Sequence, residues 1–271
     1  MLETHISPPI SEFRVDQLHV AIYCDRATMG RAAALTVAEE MKRKILSNGA
    51  VAIILAAAPS QDEFLASLAL QPNVEWNRVV TYQMDEYIGL ESNAPQKFSN
   101  YLHEKLFSQV RPGKVHALRG DMTALAHEMK NYASFMAQVP PEITCAGIGE
   151  NGHLAFNEPD FADFSTSRIL EEVELTEASR QQQVNDGCFP AIEEVPRRAL
   201  TVTIPVLLRS SLIACVVPSK SKAEAVREML VGPISSQCPA SILRQHTNAK
   251  VFLDPDSAAL ITESLGKWIH G

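Results

Sequence analysis

The chain lacks any apolar run long enough to cross a bilayer. Its longest, Val51 to Pro59, falls well short of the roughly 20 residues that a spanning helix needs. The opening residues, MLETHISPPISEF, hold two prolines and none of the apolar core of a signal peptide, so the sequence predicts a cytoplasmic protein. Clustered Lys and Arg are lacking too. A formal net charge of −8 disfavours nucleic acid and anionic membrane surfaces as partners, because both are bound by dense positive charge.

The five cysteines are odd in number and contain no C-x-x-C pair, which excludes a disulfide framework of the secreted kind and a paired thiolate metal site. Cys24, Cys145 and Cys215 fall in apolar runs expected to be buried strands, Cys188 and Cys238 in loops, and none is assigned a catalytic role. The histidines show no H-x-x-x-H spacing, so no metal site is expected. No G-x-G-x-x-G follows the first strand and no P-loop is present, so no nucleotide cofactor is implied. Linker-like, repeated and low-complexity stretches are missing, and residues 1–271 read as a single domain.

What is present is an alternation of apolar runs and amphipathic stretches. LHVAIYC, AVAIILAA, RVVTYQM, KVHAL, EITCAGI, ALTVTI, LIACVV and KVFLD read as strands with helices between them. Strands apolar on both faces belong in a parallel sheet covered by helices, so the expected fold is α/β, Rossmann-like, with a mostly parallel sheet. Ser60-Gln61-Asp62-Glu63 and Ser221-Lys222-Ala223-Glu224 have the form of capping boxes directly after strands. They mark the carboxyl ends of those strands, where open parallel sheets bind ligands. From Pro159 to Arg198 the rhythm breaks, and only RILEEVEL looks strand-like; such an excursion is either a pocket wall or a surface loop.

Two strand ends carry the chemistry. After RVVTYQM come Asp85 and Glu86, of which at most one faces a given pocket, since consecutive side chains on an extended backbone point opposite ways. After EITCAGI comes GIGENGHLAFNEP, in which Gly147, Gly149 and Gly152 permit sharp turning while Asn151, His153 and Glu158 supply polar groups. A histidine beside a carboxylate that fixes its tautomer and raises its pKa is an acid/base device. A histidine that only satisfies loop backbone, with Glu158 capping the next turn, accounts for the same residues.

The order of motifs decides between these. AAAPSQDEFLASL, QMDEYIGL, GIGENGHLAFNEP, VPRRALTVTI, VVPSKSKAEAVREMLVG and CPASILRQH together resemble the glucosamine-6-phosphate deaminase (isomerase) family, part of a group that includes the 6-phosphogluconolactonases. The resemblance covers nearly the whole chain. It implies conversion of glucosamine 6-phosphate and water to fructose 6-phosphate and ammonia, with a carboxylate removing the carbon-2 proton of the opened sugar. By the same resemblance Asp85 is the base, His153 assists ring opening with Glu158 as partner, and Lys222 binds phosphate. Ala58, Ser60 and Gln61 fall at the family's phosphate loop, although a Ser60 that caps its own helix would have its hydroxyl engaged, with Asp62 and Glu63 opposing a dianion. Glu86 and Gly149 complete the expected substrate-binding set.

The chain departs from the family pattern at Asn151, where an Asp is usual, and Asn cannot hold a negative charge. This leaves the sugar epimer open, because galactosamine-6-phosphate-type isomerases have a similar loop. A phosphate-binding Arg is replaced by Gln183, and Arg180, about one turn earlier if the segment is helical, is the expected substitute. The lactonases continue after the histidine with a Thr-Ala-Ser-Leu-Phe-type string, whereas His153 is followed by Leu-Ala-Phe-Asn-Glu. A sensor that binds sugar phosphate without turnover is the remaining alternative. A small-molecule sugar phosphate is the expected partner, and a homo-oligomer is allowed though not required.

Overall fold

The computed structural model describes residues 7–159 and 161–261. In chain order its elements are β1 (Ser11–Val15), β2 (Leu18–Ile22), α1 (Arg26–Asn48), β3 (Val51–Leu55), α2 (Asp62–Ala69), β4 (Val79–Gln83), β5 (Asp85–Tyr87) and α3 (Phe98–Leu102). Then follow β6 (Lys114–His116), α4 (Leu125–Gln138), β7 (Ile143–Ala146), β8 (Leu170–Glu174) and α5 (Glu177–Asn185). The chain continues through β9 (Arg198–Val202), α6 (Ile204–Leu207), β10 (Leu212–Val217), α7 (Ala223–Val231) and β11 (Ala249–Leu253). The sequence also predicts a last helix ending just before Gly271, and that stretch lies outside the described residues.

Eight strands form one sheet in the order β1-β2-β11-β10-β7-β3-β4-β6. All pairings in it are parallel except the β1–β2 hairpin. The central strands VAIIL, ITCA and LIACVV are buried at every residue, as their lack of alternation predicts for strands covered on both faces. Helix α1 closes one face with Ala32, Ala33, Ala34, Val37, Ala38 and Met41. It starts where the Asp25 carboxylate accepts Thr28 N–H at 2.6 Å and stops at Gly49 in the left-handed region.

A second sheet, β5-β9-β8, is antiparallel. ALTVTI was expected in the parallel sheet and instead forms its middle strand. Only Met84 separates β4 in the large sheet from β5 in the small one. The stretch Pro159 to Arg198 is less irregular than its composition suggests, since it holds β8 and α5. Cys24 lies past the end of β2 and is exposed rather than buried, while Cys238 is buried. Among the described residues no helix is long and apolar enough to cross a membrane.

Candidate active site

Because β3, β4, β7 and β10 are adjacent and parallel, their carboxyl ends open on one edge of the sheet. A cavity of about 60 Å³ lies there, lined by Ala58, Ser60 and Gln61 after β3, Asp85 after β4, Gly149 and His153 after β7, and Lys222 after β10. Gln182 and Gln183 close it from α5. Seven of the residues singled out from sequence thus meet in one place, although they come from four separate strand ends.

Asp85 and Glu86 divide as alternation requires. Asp85 faces the cavity, and burial together with the neighbouring Glu86 charge pushes its carboxyl well above the ordinary value. Glu86 turns the other way, which corrects its assignment to the substrate. It is fully buried and accepts from the N–H groups of Tyr87, Phe98 and Ser99 at 3.0, 3.1 and 3.0 Å, and from the Ser99 hydroxyl at 2.9 Å. A carboxylate with that many donors anchors the start of α3 to β5.

The capping boxes do not form. Neither Ser60 nor Ser221 caps a helix, because tight turns at Pro59–Gln61 and Lys220–Lys222 precede α2 and α7. The Ser60 hydroxyl accepts from Gln61 Nε2 at 3.1 Å and so remains a donor toward the cavity. The acids of the first turn of α2 are matched as well. Glu63 pairs with Arg26 at 2.7 Å, and Asp62 accepts from the Tyr101 hydroxyl and stands 3.5 Å from Lys105 Nζ. Lys222 is buried, which lowers its pKa, and its turn is entered through Ser219 at φ 87, with Ser219 N–H bound to the Asp254 carboxylate at 3.0 Å. A serine in the left-handed region stores strain that this bond offsets.

His153 lies flat against Gly149. A Cβ there would stand 2.2–2.4 Å from three imidazole atoms, so any larger residue would push the ring out of its place. Gly152, at φ 81, turns the loop so that a Cβ would meet Cys238 Sγ at 2.7 Å. The expected raising of the histidine pKa is reversed: burial, and secondarily the Lys222 charge, push it down to about 3. Nor does Glu158 bond the ring. It accepts from Asn151 Nδ2 at 3.2 Å and from Thr176 Oγ1 at 2.5 Å and N at 3.3 Å. Asn151 in turn accepts His153 N–H at 3.2 Å and does not line the cavity. Where a Glu158 contact was expected, His153 Nδ1 meets the Ser179 hydroxyl at 3.2 Å.

Arg180 is on α5, as expected, but its guanidinium donates to the carbonyls of Ile192 and Val195 and does not line the cavity. Helix α5 presents Gln182 and Gln183 instead. Gln182 accepts Glu150 N–H at 2.9 Å, tying the helix to the glycine loop. Ser179 and Gln182 were missed from sequence because nothing in TEASRQQQ announces which face meets the loop. Among the described residues, no group of three or more His, Cys, Asp or Glu is placed to hold a metal ion.

A parallel α/β sheet with a buried carboxyl, a neutral imidazole and a buried lysine at its carboxyl edge defines the class of acid–base enzymes that act on small anionic substrates. The chain belongs to the glucosamine-6-phosphate isomerase/6-phosphogluconolactonase family, whose model matches residues 24–253. It is 34% identical over 190 residues to a glucosamine-6-phosphate deaminase of Exiguobacterium sibiricum, which is 70% of this chain and 73% of that protein. It is 31% identical over 222 residues to a glucosamine-6-phosphate deaminase of Listeria monocytogenes, 82% of this chain and 93% of that one. Among solved structures, a monomeric glucosamine-6-phosphate deaminase superposes with a TM-score of 0.80 at 29% identity, covering 89% of this chain and 99% of that chain. A 6-phosphogluconolactonase from Shewanella baltica, 15% identical, covers 91% of this chain and 99% of its own with a TM-score of 0.74 and shares the fold.

Proposed function

We propose that this single-domain chain deaminates and isomerises a 2-amino-2-deoxyhexose 6-phosphate, giving the 2-keto sugar phosphate and ammonia. The observation that carries the reading is the convergence of the buried side chains Asp85, His153 and Lys222 on one cavity. Lys222 and the Ser60 hydroxyl hold the phosphate. Asp85, when ionised, takes the proton from carbon 2 of the open-chain aldose, and its high proton affinity at that buried position suits it to that step. Delivery of a proton to carbon 1 leaves an imine at carbon 2, which water hydrolyses to the ketone and ammonia. Every atom in that sequence comes from sugar and water. Five free cysteines, two of them at least partly accessible, support a reducing, cytoplasmic setting.

The test is ammonia release from glucosamine 6-phosphate and galactosamine 6-phosphate, which also assigns the epimer. Turnover of one, sharply lowered in Asp85→Asn, is the expected result. Silence with both, or full activity in Asp85→Asn, overturns the reading, and hydrolysis of 6-phosphogluconolactone instead would move the chain to the lactonase branch. Binding of sugar phosphate without any product would identify a sensor.

A further inference from the structure

Ser179 is in the first turn of α5 and is buried. Its backbone N–H is bound by the Thr176 side chain at 3.2 Å, so the residue is fixed at the helix start. A buried hydroxyl carries one proton that needs an acceptor, and the acceptor the structure offers is His153 Nδ1, at 3.2 Å. The donor is therefore the serine, and Nδ1 presents its lone pair. In a neutral imidazole the ring proton then sits on Nε2. The flat contact with Gly149 fixes the plane of the ring, and the Ser179 hydroxyl is what distinguishes its two nitrogens.

We propose that Ser179 is a positioning residue that holds His153 as the Nε2–H tautomer, so that the imidazole meets the sugar as a hydrogen-bond donor and not as a base. The catalytic consequence rests on the deaminase reading above. In it, Nε2–H supports the negative charge that grows on the oxygen at carbon 1 while Asp85 takes the carbon-2 proton. The route from Glu158 to the ring is then indirect: Glu158 binds Thr176, Thr176 caps α5, and α5 presents Ser179.

Long-range proton–nitrogen correlation of the imidazoles in nitrogen-15-labelled full-length protein at neutral pH tests this without substrate, with the His153 signals assigned by their loss in His153→Gln. A single tautomer with Nδ1 unprotonated and Nε2 protonated is expected. Ser179→Ala should give a mixture of tautomers and lower kcat by roughly tenfold with KM changed by less than about twofold, and Ser179→Thr should restore the single form. A protonated Nδ1 in the wild type, or an unmixed Nε2–H tautomer in Ser179→Ala, overturns the proposal. Should Ser179→Ala fail to fold, the wild-type tautomer decides alone. Because this readout needs no turnover, its failure is distinct from a failed ammonia assay.

Discussion

Thr201 stands opposite Asp85 in the antiparallel ladder of the small sheet, and its hydroxyl accepts Phe156 N–H at 3.0 Å and Asn157 Nδ2 at 3.3 Å. Thr201, together with the Val202 carbonyl that accepts from Asn157 Nδ2 at 2.8 Å, ties the strand that carries the carboxyl to the loop that carries the imidazole. Thr201→Val keeps the shape and removes the acceptor. A buried N–H left without its partner costs about 1–3 kcal/mol, so thermal melts should fall by several degrees. Ammonia release measured at a temperature where the variant is folded should fall as well, because the loop is then held to β9 through the Asn157–Val202 bond and no longer through Thr201.

Asp85→Asn should raise stability while sharply lowering turnover. The sign follows from the raised carboxyl: the unfolded chain ionises near 3.8, whereas the native state resists ionisation to a much higher pH. The native advantage is complete below 3.8 and is lost as pH rises through the raised value. Asparagine carries no such penalty, so the variant should melt above wild type near neutral pH, with the gap closing in acid. Loss of a general base should lower kcat by roughly 10²–10⁴-fold. In the wild type, kcat/KM should climb with pH well above the ordinary carboxylate range, and a limb at the ordinary value would contradict the burial of Asp85.

His153 works in the opposite direction on acidification. The unfolded imidazole takes a proton below 6.5 and the native one only near 3. Stability from the neutral ring is fully present above 6.5 and drains away as pH falls toward 3, by roughly 4–5 kcal/mol over the whole window. Denaturant melts at stepped pH should show His153→Gln losing less stability than wild type between those limits. Equal slopes would mean that the ring is charged in the native state.

Glu158 and Thr176 should behave as one unit. Glu158→Leu and Thr176→Val each remove the 2.5 Å hydrogen bond between them, a loss of about 0.5–3 kcal/mol. The double variant should cost less than the sum of the two single ones by the worth of that shared bond, which a double-mutant cycle on melting data would register. Additive losses would show that the bond between the two side chains contributes nothing.

Most of the large sheet was legible because strands such as VAIIL and LIACVV are apolar without interruption, a pattern with few other homes in a protein of this composition. The small sheet was not. β5 has three residues, two of them acidic, and it exists because β9 arrives from far along the chain to pair with it. β1, SEFRV, was hidden in the same way by its charged residues.

At the site, motif order identified the strand ends, and these converge. Side-chain partners were less readable. Glu158 is five residues from His153 in sequence, yet Thr176 and Ser179, on a helix that docks from elsewhere, take the contacts that proximity suggested. Arg180 and Gln183 are neighbours on one helical face, and the carbonyls of Ile192 and Val195 decide which of them is withheld from the cavity.

Met84 is the single residue between β4 and β5, and this makes the identity of the base a matter of counting. Asp85 and Glu86 have the same chemistry, and only their parity along β5 sends one to the cavity and the other to the start of α3. Inserting one residue beside Met84 would exchange them, since a shift of one position turns every side chain of a strand to its opposite face. The longer glutamate would then point at the substrate and the shorter aspartate at the backbone of α3. The single-residue crossing thus works as a ruler, and insertions or deletions there should be far less tolerated than substitutions of Met84 by another side chain of similar size.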